Sequence, residues 1–178
     1  MLSQCVNSSR SAALKIINII WHSMTGGSKA LAQAAYDGAW AAAQDGCSIR
    51  LFHADVVTEP AMLEADGFIF VFPENLAAIS GVMKACFDRL YYPCLGSLEG
   101  RAYALIVCAG SDGSNAVRQA ERIATGWRLK KIADSRIICT HAQSKEAILA
   151  PKIIGADDLE EARQIGGALA AGLVMGVY

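Results

Sequence analysis

No C-x-x-C pair occurs in this chain of 178 residues, although it carries six cysteines. Cys5, Cys47, Cys86, Cys94, Cys108 and Cys139 are scattered, and a chain this large and apolar does not depend on covalent staples. Reduced thiols and a cytoplasmic compartment are therefore expected. An excess of either charge is also missing: 16 Lys and Arg face 17 Asp and Glu, for a net charge of −1. That balance excludes a basic footprint for nucleic acid, and it gives no acidic surface with which a diffusing electron carrier steers toward basic partners. No membrane span is expected, because the apolar stretch at 165–177 is too short and too glycine-rich to cross a bilayer. Leu2-Ser3-Gln4-Cys5 has the look of a lipidation site, but no hydrophobic stretch precedes it. The Ser-rich residues 1–13 are expected to form a flexible extension and residues 14–178 a single domain, with no internal repeat or low-complexity segment to divide it.

What is abundant is apolar material. Hydrophobic residues make up 53%, more than a small monomer needs, which predicts a buried sheet together with a subunit interface and hence a homo-oligomer. Leu14 to Trp21 is a short, β-branched, nearly continuous apolar run, the pattern of a strand covered on both faces. Further strands are predicted at 48–52, 67–72, 101–108 and 136–140. Helices are predicted at 29–44, 80–90, 116–124 and 157–173, with a helical turn at 60–64; Ser80 is read as an N-cap. Strands and helices alternate, so the fold expected is α/β: a doubly wound five-stranded parallel sheet with helices on both faces.

In such a sheet ligands sit beyond the carboxyl ends of the strands, at the switch in strand order. Three loops end there. The first, His22-Ser23-Met24-Thr25-Gly26-Gly27-Ser28, joins a strand directly to a helix N-terminus. Free amides, the positive end of the helix dipole and three hydroxyls form a cradle for a dianionic phosphate; the competing reading is a tight turn with Thr25 or Ser28 capping the helix. Other phosphate loops do not fit. There is neither G-x-x-x-x-G-K-[ST] nor G-x-G-x-x-G, and no cysteine lies in the loop. The first and third strands end in Trp21-His22 and Phe72-Pro73 rather than in the acidic residues that a magnesium-binding receiver domain needs.

Ser23-x-Thr25-Gly26-x-Ser28 resembles the phosphate loop of the flavodoxins. The second stretch, Ala65 to Asn75 followed by Ile79-Ser80-Gly81 and a helix carrying Lys84, Asp88 and Arg89, is similar to NAD(P)H-dependent FMN reductases and related quinone reductases. The resemblance implies a flavodoxin-like fold, with strand order 2-1-3-4-5, and bound FMN. It implies that the first loop holds the phosphate, that Pro73, Glu74, Asn75, Leu76 and Ala77 border the isoalloxazine ring, and that the loop Ala109-Gly110-Ser111-Asp112-Gly113-Ser114-Asn115 is a second flavin contact. The three matches run from about Leu14 to Thr140. Leu76-Ala77-Ala78 stands where many members have an aromatic residue and a glycine, which leaves open the residue that stacks on the ring.

His22, His53 and His141 each follow a predicted strand, but the fifth strand lies far from the first two, so no metal site is expected. His22 is read as a neighbour of the phosphate or as a solvent-facing residue. Lys84 and Asp88 at i,i+4 read as surface ion pairing, Cys108 as inert core, and Asp112 and Asn115 as ligand contacts or helix caps. Tyr91 and Tyr92 either cover the flavin of a neighbouring subunit or close the core. The function expected is an FMN-binding oxidoreductase that takes electrons from NADPH or NADH to a small acceptor such as a quinone or flavin, with the cofactor and no protein acid or base carrying the chemistry. The alternatives are a flavodoxin-type one-electron carrier, or a fold that has lost FMN.

Overall fold

The computed structural model describes residues 14–178, so the extension expected at 1–13 and the lipidation-like Cys5 lie outside the described residues. The elements run β1 (Lys15–Trp21), α1 (Gly27–Ala43), β2 (Cys47–His53), α2 (Glu59–Glu64), β3 (Gly67–Asn75), β4 (Ala78–Ile79), α3 (Gly81–Cys94), β5 (Ala102–Ala109), α4 (Ser114–Gly126), β6 (Lys130–Lys131), β7 (Arg136–Cys139), α5 (Lys145–Leu149) and α6 (Ala156–Val174).

The four long strands lie parallel in the order β2-β1-β3-β5. Ile19 pairs with Leu51 on one side and Ile69 on the other, and Ile69 pairs in turn with Ala104. The fifth position of the expected order is shared by two short strands, with β6 beside Ala102 and Tyr103 and β7 beside residues 106–109. The expected parallel sheet is present, and β4 adds a short antiparallel return on the end of β3.

The continuous apolar strands follow from burial of both sheet faces. Successive side chains alternate, so Ile20, Phe68, Phe70, Phe72, Tyr103 and Leu105 face one way, into a core shared with Met83, Phe87, Leu90 and Trp127. Ile17, Ile19, Ile69, Val71 and Ile106 face the other way, onto Leu31, Ala35, Ala39 and Leu169. The second face is lined by small residues because α1 and α6 pack very closely. A Cβ on Gly166 would stand 1.9 Å from the Ala35 carbonyl oxygen, and one on Gly38 would stand 2.0 Å from that of Arg163.

Tyr91 settles one open reading: it stacks on Trp127, whose indole Nε1–H donates to the Tyr91 carbonyl at 3.0 Å, and so it closes the core. Tyr92 is exposed. Lys84 and Asp88 form the expected exposed i,i+4 ion pair at 2.5 Å. Arg89 instead donates to the carbonyls of Ala54 and Val57 at 2.9 and 3.0 Å, which ties α3 to the β2–α2 loop.

Candidate functional site

β1, β3 and β5 end side by side, and the loops that leave them enclose a cavity of about 510 Å³. Met24 and Thr25 line it from the first loop, Pro73, Glu74, Asn75 and Leu76 from the β3–β4 hairpin, and Cys108, Ala109, Gly110 and Ser111 from the end of β5. Those three loops are the ones expected from the sequence. A fourth wall was not anticipated: Thr140 and Ala142 follow β7, and Ile148, Leu149 and Lys152 belong to α5 and the turn after it. α5 has only five residues, too few for a periodic signal, although Ser144 before it is a legible cap whose hydroxyl accepts from the Ala147 amide at 3.2 Å.

The first loop is built around the N-terminus of α1. Gly26 is the N-cap residue with φ +93°, a conformation that favours glycine, and no side chain caps the helix. Thr25 and Ser28 are thus not caps. Ser23 Oγ accepts the Gly26 amide at 3.0 Å, while the amides of Gly27, Ser28 and Lys29 open the helix and have no intrahelical acceptor. Gly27 lets α1 approach the end of β5, because a Cβ there would meet Cys108 Sγ at 2.9 Å and Lys152 Cβ at 3.2 Å. Ser28 is 1% exposed, and its Oγ makes no well-aligned hydrogen bond; it lies within reach of the thiol of Cys108, a wall of the cavity and a weak hydrogen-bond partner. A buried hydroxyl so poorly satisfied is costly. Burial pushes the Cys108 thiol up to about 11, so it remains a neutral apolar surface.

The hairpin carries the site's strain. Leu76 and Ala77 both have left-handed backbones, with φ +52° and +58°, in a two-residue turn that ordinarily uses Asn-Gly. α4 supports it: Asn115 Nδ2 donates to the Ala77 carbonyl at 2.6 Å, and Gln119 Oε1 accepts the Ile79 amide at 3.2 Å. Across the cavity mouth Asn75 Nδ2 contacts Met24 Sδ at 3.1 Å.

Several expected residues stand behind the lining rather than in it. Asp112 makes an Asx turn just ahead of α4, with Oδ1 accepting the Ser114 amide at 3.2 Å, while Gly113 holds the N-cap position. Gly113 is buried and left-handed, Asn115 props the hairpin, and Ala77 faces outward. His22 is corrected on its solvent-facing reading: it is buried, with Nδ1 2.9 Å from Ser80 Oγ, and it stands behind the cavity lining. Ser80 holds the N-cap position of α3 without making a side-chain cap bond. His22 and His53 are neighbours, with ring centroids 5.7 Å apart. Among the described residues no group of three His, Cys, Asp or Glu side chains is placed to hold a metal, and no helix is long and apolar enough to cross a membrane.

Comparison with known proteins agrees with this arrangement. A flavodoxin of Aquifex aeolicus (strain VF5) is 32% identical over 100 residues, which are 56% of this chain and 53% of that protein. The chain thus matches about half the length of that curated relative. A flavodoxin from the domain Archaea superposes with a TM-score of 0.72 at 16% identity, covering 90% of this chain and 99% of its own. The flavodoxin WrbA-like protein from Agrobacterium tumefaciens gives 0.68 at 18% identity, covering 91% and 98%. Such likeness shows a flavodoxin-like fold. The model of the family described as NADPH-dependent FMN reductase matches residues 53–142, a span that holds the hairpin and the β5–α4 loop. With half of its length matched in this way, the chain belongs to the NADPH-dependent FMN reductase family.

Proposed function

We propose that the cavity holds FMN and that the chain is an oxidoreductase passing electrons from NADPH or NADH to a small acceptor such as a quinone or a flavin. The observation that carries this reading is the buried Ser28 hydroxyl, poorly satisfied beside the Cys108 thiol at the open N-terminus of α1, next to the cavity where three loops meet. A phosphate there would satisfy that hydroxyl, the Thr25 hydroxyl and the free amides of 27–29 together, with the helix dipole favouring its charge. The hairpin residues Pro73 to Leu76 and the turn Ala109 to Ser111 would border the ring, while Asn115 and Gln119 hold the hairpin in place. Cys108, Ile148 and Leu149 would give the ring an apolar surface to lie against. Bound FMN would supply hydride acceptance and onward electron transfer, so the protein needs to bind and orient rather than move protons.

A one-electron carrier is the second reading, favoured by the Aquifex flavodoxin and opposed by the near-neutral charge. The apolar surplus supports a homo-oligomer, which sedimentation would test. The deciding experiment is an anaerobic titration of the FMN-loaded protein. Bleaching of the flavin absorbance by NADPH or NADH, followed by quinone reduction, is expected. Absorbance that neither nucleotide changes, but dithionite bleaches, would replace the reductase with the carrier.

A further inference from the structure

Two sides of the cavity hang from different helical layers. The β3–β4 hairpin is propped by α4, through Asn115 on the Ala77 carbonyl and Gln119 on the Ile79 amide, and α4 packs by Ala116, Ala120 and Ala124 into the core that holds Phe70 and Trp127. α5 belongs to the other layer. The turn after it sets Lys152 against the start of α1, with Cβ 3.2 Å from the position a Cβ would take on Gly27, and sends Ile154 into the core shared by α1 and α6.

α5 is seated by hydrogen bonds and not by burial, since none of its five residues is buried. Lys152 Nζ donates to the carbonyls of Ala147, Ile148 and Ala150 at 2.7, 2.9 and 2.6 Å, and the Lys152 amide donates to the Thr25 carbonyl at 2.8 Å. The apolar side chains of the helix are thereby left unspent. Ile148 and Leu149 line the cavity and are 51% and 61% exposed. From the hairpin, Leu76 lines the same cavity, fully exposed and on a left-handed backbone. A large apolar side chain kept in water on strained backbone gains the fold nothing, and such outliers cluster at ligand clamps. Among the described residues that line the cavity none is aromatic.

We propose that Leu76 on one side and Ile148 with Leu149 on the other form a wholly aliphatic clamp on the isoalloxazine ring. This rests on the FMN reading above and assigns the ring contact that the hairpin sequence leaves open. Covering the exposed side chains with a flat apolar ring is favoured by the hydrophobic effect and is indifferent to the phosphate. The clamp also has an optical consequence. An indole or phenol stacked on an excited flavin lends it an electron, which returns without emission of light; an aliphatic side chain cannot do this.

The test measures flavin fluorescence, the dissociation constants of FMN and riboflavin, and the apo melting temperature for the wild type, Leu76→Ala, Leu149→Ala, Leu149→Met and Leu149→Trp. Bound FMN should keep most of its emission in the wild type. Leu76→Ala and Leu149→Ala should each weaken both flavins alike, by roughly threefold to tenfold, with apo melting temperatures near that of the wild type because the side chains are exposed. Loss of the phosphate cradle would instead weaken FMN alone. Leu149→Met should keep the wild-type affinity, and Leu149→Trp should bind both flavins and extinguish most of their emission. Unchanged affinity in both alanine variants, undiminished emission in Leu149→Trp, or strong quenching in the wild type would each overturn the clamp and leave the FMN site standing. A wild type that binds neither flavin would overturn the clamp and the FMN reading together.

Discussion

His22 Nδ1 and Ser80 Oγ lie 2.9 Å apart across 58 residues of sequence, both side chains buried. The contact joins the residue that opens the first loop to the residue that opens α3, just past the strained hairpin. Ser80 thereby spends its hydroxyl on a tertiary contact where a local cap would be expected. Two loops that border the cavity are held at a fixed distance as a result.

This pair should make stability depend on pH. Burial pushes the His22 imidazole below its ordinary value of 6.5, the nearby His53 lowers it further, and Asp55 opposes them. Between the folded and unfolded values the unfolded chain holds more proton, so stability rises with pH across that window. The contribution is therefore complete above about pH 6.5 and is lost as the pH falls below it. Melting temperatures of the wild type should drop from pH 7.5 to 5.5 by more than those of His22→Asn. Equal drops would show that His22 is not the group responsible.

The hairpin gives a prediction of the opposite sign. Left-handed backbone costs a non-glycine residue about 1–2 kcal/mol, and Ala77 sits at φ +58°. Ala77→Gly relieves that strain but adds freedom to the unfolded chain, so a net gain of roughly 0.5–1 kcal/mol is expected. Asn115→Ala, which removes the bond to the Ala77 carbonyl, should lose about 1 kcal/mol. Urea titrations of the two variants check both signs.

Two glycines one position apart in α6 should respond very differently to the same methyl group. At Gly166 a Cβ would overlap the Ala35 carbonyl oxygen at 1.9 Å and the Ala39 amide at 3.0 Å; at Gly167 its nearest contact is 3.4 Å. Backbone cannot move aside cheaply, so Gly166→Ala should cost several kcal/mol, about 3 or more, by forcing α1 and α6 apart. Gly167→Ala should be neutral or should stabilise by up to about 1 kcal/mol through helix propensity. Similar melting temperatures for the two variants would mean that the close approach of α1 and α6 does not matter to stability.

These cases mark where the sequence is readable. The strands were legible because both faces of β1, β3 and β5 are buried, so the apolar runs announce themselves; their order came with the resemblance to the flavodoxins, and the three loops at their ends follow from that topology. Even the burial of His22 had a signal: on β1 the even positions Ile16, Asn18 and Ile20 face α3's side of the sheet, and period two carries His22 to the same side. The hairpin was hidden because Leu76-Ala77 is not turn chemistry and is held by Asn115 from another element. The wall made by α5 was hidden because a five-residue helix has no period, and because the role of Lys152 depends on carbonyls that only the folded chain brings to it.

Ser28 offers the sharpest test of the proposed site, because structure and function pull in opposite directions there. Its Oγ is buried with only the weak Cys108 thiol within reach, a state that costs up to about 1–3 kcal/mol relative to a well-satisfied hydroxyl. Ser28 is also the second residue of α1 and does not cap it, so alanine removes the unsatisfied group and has a slightly better helix propensity. Ser28→Ala should therefore stabilise the apo protein, by about 1 kcal/mol or somewhat more. If the hydroxyl is kept to donate to a phosphate, the same substitution should weaken FMN binding by about one to two orders of magnitude, since a hydrogen bond to a charged group is worth roughly 1.5–3 kcal/mol. Riboflavin affinity should barely change. Thr25→Ala, at a residue that lines the cavity and caps nothing, should share the loss of FMN preference without the gain in apo stability. The measurements are the apo melting temperature and the two dissociation constants for each variant. A Ser28→Ala protein that is more stable and still prefers FMN as strongly as the wild type would mean that the hydroxyl is a packing defect and that the phosphate sits elsewhere.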